Sequence, residues 1–348
     1  MKSTLQDLII LFSVIFAISL LATCKREENP IIQNNNWQTI YQDSTVFMSQ
    51  IRFLDKNTGF VLATNSVPID SLRGRQFVFK TSDAGKTWTK FACGFPTVRD
   101  GARMVAPINA NTLIGAGYNI FKSIDSGLNW SNLNPTYVGS GFFSIYIKDS
   151  LNWVLADGNS ITRTSNGGTT WKVVLTTEFP APFSLFSFPS DMVGYATGGA
   201  TNDSYSFGFL AKTLDGGQSW VVLNPGPWSS DNKSFPDVFT IQFLTEQIGF
   251  IFTDDGKLYK TLDGASTWSL IYDKKESAYT RSYFLSEDVG YFSEMNKIYC
   301  TGDGGKTWVV DGTISLIPSD GDIIDLFFLK SGSGYAITRD SKIIKKNN

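Results

Sequence analysis

The apolar positions of this chain recur at a regular interval. Seven β-rich segments each end on an apolar residue. Six residues later stands a glycine or a second apolar residue, followed by an aromatic or aliphatic one. The pairs are Phe53/Gly59, Pro107/Leu113, Ile147/Trp153, Phe188/Gly194, Phe243/Gly249, Phe284/Gly290 and Phe328/Gly334. A polar, turn-forming octapeptide follows six of them: Thr81–Trp88, Ser123–Trp130, Thr164–Trp171, Thr213–Trp220, Thr261–Trp268 and Thr301–Trp308. Its tryptophans lie 40 to 49 residues apart, the length of a four-stranded propeller blade.

Each octapeptide carries Asp or Asn in third place (Asp83, Asp125, Asn166, Asp215, Asp263, Asp303). Such a side chain accepts hydrogen bonds from backbone N–H groups just ahead of it in a tight turn. Two residues later comes Gly, or Ala265 in one copy, where a positive φ is needed. The closing Trp88, Trp130, Trp171, Trp220, Trp268 or Trp308 opens the next strand and buries a large ring. Each octapeptide therefore staples the third strand of a blade to the fourth. The seventh unit, from Ile324, lacks a fourth strand, whereas Trp37–Tyr41 reads as a fourth strand without a blade of its own. Pairing the two closes the ring and covers the edge. The predicted fold is all-β: a single seven-bladed β-propeller of four-stranded blades over residues 37–348, closed by the N-terminal strand.

The octapeptides resemble the Asp boxes, or BNR repeats, of sialidases and related propellers. Joined to the Phe-x₅-Gly strand pairs and repeated along residues 37–348, they are also similar to the photosystem II assembly and stability factor family. That resemblance implies one seven-bladed propeller without catalysis, acting as a membrane-associated assembly chaperone that grips its client through an Arg-rich surface. Arg52, Arg103 and Arg281 stand near the first strands of three blades, but the other four carry Gln242, Tyr146, Ser187 and Asp325 nearby. The full Arg patch is not reproduced, so the general role is expected and the photosynthetic client is not.

The N-terminus changes the picture of where the ring works. Lys2 precedes an apolar run from Leu8 to Leu21 that ends in Leu21-Ala22-Thr23-Cys24, which resembles a bacterial lipobox. Residues 1–23 are expected to be a lipoprotein signal peptide, Cys24 the lipidated residue, and residues 24–36 a flexible tether to the bacterial cell envelope. Cys93 and Cys300 remain, too far apart in the repeat order to pair and without metal-binding spacing; both read as small buried hydrophobes.

Histidine is absent, which removes the commonest general base, the commonest metal ligand and every Ser-His or Cys-His pair. The formal charge is −2 with basic residues scattered, which gives no basic face for nucleic acid. No metal and no cofactor are expected. A sialidase would need an Arg triad and a Tyr–Glu pair, and the Arg-Ile-Pro signature does not occur. Glycosidases built on such propellers pair two of them, and this chain is long enough for one. An enzyme is therefore not expected.

Loop length marks a functional face. The strand 1–2 turns and the box turns are constant and share one side of the disc. The variable segments lie on the other: the strand 2–3 loops Thr64–Gln76 and Gly198–Phe207, and the blade connections Ala92–Arg103, Val222–Phe239 and Asp311–Asp322. They carry Arg73, Arg75, Arg99, Arg103, Phe95 and Trp228, residue types that dominate interfaces, with Phe183 and Phe235 beside them. The function expected is a monomeric, lipid-anchored, non-catalytic scaffold holding a protein partner at the membrane. The alternative is a cell-surface glycan binder or a sialidase-like glycoside hydrolase.

Overall fold

The computed structural model describes residues 36–66, 75–95, 101–133, 142–177, 182–201, 206–223, 238–253, 255–274, 280–314 and 322–346. They form seven four-stranded antiparallel sheets. Blades 1 to 6 occupy residues 46–92, 102–132, 142–176, 183–223, 238–273 and 280–313, each strand pairing with the next in sequence. Blade 7 takes its three inner strands from residues 323–346 and its outer strand from Trp37–Gln42, which runs antiparallel to Lys342–Lys346. The ring is closed by this N-terminal strand.

A buried clasp locks the closure. Asp311, on the outer strand of blade 6, accepts bonds from the Trp37 indole (2.9 Å), the Asn36 amide (2.8 Å) and Lys346 Nζ (2.6 Å). Trp37 also supplies what blade 7 lacks. Its ring meets Phe328 edge-on at 5.8 Å, as the box tryptophans of other blades meet their own innermost Phe.

The Phe-x₅-Gly pairing has a steric cause. Phe53, Phe243 and Phe328 lie directly opposite Gly59, Gly249 and Gly334 in the innermost hairpin. The Phe ring folds across its glycine so closely that a Cβ there would sit 2.6, 2.5 and 2.5 Å from a ring carbon. Phe188 over Gly194 and Phe284 over Gly290 are alike, at 2.3 and 2.6 Å. The same ring then stacks on an aromatic of the preceding blade: Tyr335 on Phe53 at 3.9 Å, Tyr146 on Phe188 at 3.7 Å, Tyr195 on Phe243 at 3.4 Å, Phe250 on Phe284 at 3.7 Å, and Tyr291 on Phe328 at 4.4 Å. The core is accordingly distributed between blades and has no single centre. The two cysteines lie in different parts of it and are not joined by a disulfide, Cys93 between blades 1 and 2 and Cys300 between blades 6 and 7.

Candidate functional site

The box turns fix one whole face of the disc. In the first box Asp83 Oδ1 accepts bonds from the Thr81 hydroxyl (2.8 Å) and the Thr87 N–H (2.9 Å), and Oδ2 from the Thr87 hydroxyl (2.6 Å). Thr81 Oγ1 in turn accepts from Gly85 N–H at 2.9 Å. The hydroxyl and amide of Thr87, then Thr81, hold the Asp83 carboxyl down at about 2; Thr267 and then Thr261 do the same for Asp263, also about 2. At Asp125, Asp215 and Asp303 partial burial opposes the shift, and the same set of hydrogen bonds still lowers the carboxyl. Asn166 keeps the geometry by donating its amide to the Thr170 hydroxyl at 2.8 Å. Ala265 takes the glycine position at φ 74°. These residues are therefore turn staples.

Each box also docks on the strand 1–2 turn of its own blade through one backbone bond, for example Ala84 N–H to Asn57 O and Gly216 N–H to Met192 O. The next blade is latched on by side chains. Tyr195 donates to Glu246 O and Gly264 O, Lys212 to Gly264 O, and Tyr335 and Lys345 to Ala84 O. The box face is a rigid, hydrogen-bonded frame.

A cavity of about 950 Å³ lies at the centre, lined by innermost-strand residues such as Gln50, Met104, Phe186, Gln242, Tyr283 and Phe327. It reaches the box face at Pro189, Thr245, Glu287 and Lys330. Several polar groups along it serve the ring. An innermost strand has an unpaired edge, and its N–H groups need acceptors. Asp325 Oδ2 takes Ile51 N–H (2.9 Å), Gln50 takes Val105 N–H (2.7 Å), Ser187 takes Phe243 N–H (2.8 Å), and Gln242 takes Phe284 N–H (2.7 Å). Three of the residues that interrupt the expected Arg patch, Gln242, Ser187 and Asp325, are thus inter-blade caps. The fourth, Tyr146, is the stacking partner of Phe188. Arg52 is held by Asp325 at 2.5 Å, and Arg281 donates to Ile324 O at 3.4 Å. Among the carboxylates lining the cavity, Glu287 is paired with Lys260 at 2.9 Å.

Cys24, and Arg73, Arg99, Trp228 and Phe235 of the variable side, lie outside the described residues. Arg75 and Arg103 are both exposed, and the structure brings their backbones together. Gln76, next to Arg75, donates to Ala102 O (2.7 Å) and accepts from Ala102 N–H (2.8 Å), next to Arg103. Arg103 is the extra residue of a β-bulge in its strand, a geometry that re-aims a side chain. Its guanidinium lies over the exposed Tyr118 ring at 4.4 Å. Gln76 and Tyr118 were not among the sequence candidates: the partner of Gln76 lies in the next blade, and that of Tyr118 lies across its own blade on the first strand. Phe95 goes elsewhere: it stacks on Trp130 at 5.2 Å and meets Phe121 at 5.0 Å, inside the core between blades 1 and 2. Phe183 is fully buried in blade 4. Both rings pack the connections onto the disc. Among the described residues no group of three His, Cys, Asp or Glu could hold a metal ion, and no helix is long and apolar enough to cross a membrane.

No protein-family model matches the chain. In sequence it is 25% identical over 279 residues to the xyloglucanase Xgh74A of Acetivibrio thermocellus, covering 63% of this chain and 31% of that enzyme. The chain thus spans about a third of the length of the curated relative it matches. In structure it is similar to YCF48 bound to a D1 peptide, with TM-score 0.68 and 16% identity over 94% of this chain and 99% of that one. It is also similar to the GH74 xyloglucanase of Xanthomonas campestris, with TM-score 0.57 and 12% identity over 86% of this chain and 59% of that one. At these identities the structural likeness establishes a shared seven-bladed propeller fold.

Proposed function

We propose that the chain is a non-enzymatic scaffold that holds a protein partner on its variable face and is anchored through Cys24 at the bacterial envelope. The observation that carries this reading is the Gln76–Ala102 link across the blade 1–blade 2 boundary, which brings the exposed positions Arg75 and Arg103 to one site, with Arg103 laid on exposed Tyr118. A guanidinium and an aromatic ring on a rigid frame are the groups that anchor protein interfaces. The likeness to YCF48 bound to a D1 peptide supports the same use of the fold. The test is capture of partners from detergent-solubilised envelope, comparing wild type with the Arg75→Ala/Arg103→Ala double variant. A protein recovered with wild type and lost with the variant supports the proposal. Equal recovery by both removes this face from it.

The match to Xgh74A favours one second reading, recognition of a polysaccharide. Release of reducing sugar from xyloglucan by the purified chain would establish it and displace the scaffold.

A further inference from the structure

The box face carries more than turn staples. Of the sixteen large hydrophobic side chains exposed among the described residues, thirteen lie in strand 1–2 turns, in box turns or at the start of the outer strand that follows a box. The most exposed on the turns themselves are Ile124 (73%), Leu214 (67%), Leu262 (60%), Leu151 (52%) and Met192 (50%). They lie on the box face of blades 2 to 5, and those of blades 3 to 5 are linked by bonds already described and by two more. Lys148 of the blade 3 turn pairs with Asp191 of the blade 4 turn, and Gly167 N–H of box 3 bonds Leu151 O. The carboxylates of the boxes and of two turns are hydrogen-bonded locally, whereas Asp191 and Glu287 of the strand 1–2 turns stay exposed beside their lysine partners. The box carboxylates are engaged by their own hydroxyl and amide donors, and Asp55 and Asp149 cap the N–H groups of their own turns.

The chain enters the ring on this same side. Trp37 pairs with Lys346, whose neighbour Lys345 reaches the first box, whereas Gln42 pairs with Lys342 beside the opposite face. The described chain therefore begins on the box side, and the thirteen residues 24–36 can span at most ~45 Å at full extension. We propose that the box face is a lipid-docking surface: its belt of aliphatic side chains rests in the headgroup region of the membrane to which Cys24 ties the chain. The variable face, with Arg75, Arg103 and Tyr118, is then presented away from the bilayer. Isolated aliphatic side chains on a rigid frame gain free energy by entering the acyl boundary in proportion to the apolar area covered. A belt of this extent is otherwise left in water. This inference rests on the anchoring reading above, and its test is built to be separable from it.

Every strand of the ring lies within residues 37–346, so residues 24–348 can be prepared without the apolar leader. The chain contains no histidine, so a hexahistidine tag in place of Cys24 holds it on vesicles through nickel-chelating lipid by one end alone. The vesicles are phosphatidylcholine with phosphatidylglycerol. Buried Cys300, and Cys93 whose thiol burial pushes up to about 12, leave single introduced cysteines as the reactive sites. An environment-sensitive fluorophore is placed at Leu214→Cys, Leu262→Cys or Tyr118→Cys, and quenching by a headgroup-proximal nitroxide lipid is read. Quenching at 214 and 262 at least about twofold above that at 118 is expected, and it should fall when Ile124, Leu151 and Met192 are changed to Ser. Equal quenching at all three positions, or stronger quenching at 118, overturns the proposal. So does self-association that shields 214 and 262 without any quenching by lipid. Acylation of Cys24 is read separately, by the mass of the full chain recovered from membranes; its absence removes the anchor and leaves the vesicle result standing.

Discussion

In blades 1, 4, 5, 6 and 7 a Phe ring covers a glycine on the facing strand, meets a tryptophan edge-on, and stacks on an aromatic from the blade before. Blades 2 and 3 fill the same hairpin differently. Leu113 stands opposite Pro107 and Trp153 opposite Ile147, both large side chains fully buried. In blade 2, Trp130 stacks on Phe95 from the blade connection; in blade 3, Trp153 packs near Trp171 at 6.1 Å and bonds Asp149 O through its indole. The lesson is that the two motif positions form one volume. A ring on one strand requires no side chain on the other, and a large residue on the second strand excludes a ring from the first. The candidate interface of Arg75, Arg103 and Tyr118 lies at the edge of the irregular pair, where the repeat has already been relaxed.

The comparison can be broken most severely in blade 3. Trp153→Ala removes the ring that stands in for a Phe-over-Gly unit and should cost about 3–5 kcal/mol in urea unfolding. In a regular blade the damage comes from adding atoms. Gly249→Ala places a Cβ 2.5 Å from the Phe243 ring and should cost about 1–3 kcal/mol. In a Phe243→Ala background the same change should cost much less, and a double-mutant cycle reads the coupling directly. Strict additivity would refute the shared volume. Tyr195→Phe keeps the stack on Phe243 but deletes the hydroxyl bonds to blade 5, with an expected loss of about 1 kcal/mol.

A pH series separates the boxes. A carboxyl whose folded value is depressed contributes stability that is present above the unfolded value, near 3.9, and is lost as pH falls through the folded one. With Asp83 and Asp263 at about 2, acid weakening should fall between pH ~4 and ~2. Asn166 does not titrate, so Asn166→Asp should steepen that loss while changing little at neutral pH. The smallest effect is expected for Arg75→Ala/Arg103→Ala, within about 0.5 kcal/mol of wild type in unfolding, so that any loss of partner capture reports on recognition.

The blade count, the closure by Trp37 and the work of Asp83 through Asp303 were legible because each depends on residues close in sequence or repeated in phase. The Phe/Gly pairs were legible as a pattern, and their cause was not, since ring overlap is visible only across a hairpin. The capping roles of Gln50, Ser187, Gln242 and Asp325 were hidden for another reason: the N–H groups they satisfy belong to the next blade, 42 to 56 residues away or across the ring closure. For that reason Ser187, Gln242 and Asp325 looked like gaps in an Arg patch. Phe95 and Phe183 looked like loop aromatics because sequence gives length and type, and the direction of a ring depends on the blade beside it.

The strand Trp37–Gln42 has a consequence for the order of events at synthesis. Its partner, Lys342–Lys346, is made some three hundred residues later, so the disc stays an open arc with a bare sheet edge throughout elongation. Blades can form one after another, but the final seam has to wait for the last strand and then bridge nearly the whole polypeptide. Contacts of such separation are slow to find and leave pairing-competent edges exposed meanwhile. The nascent protein thus remains incomplete, and open to capture by other strands, until its two ends meet.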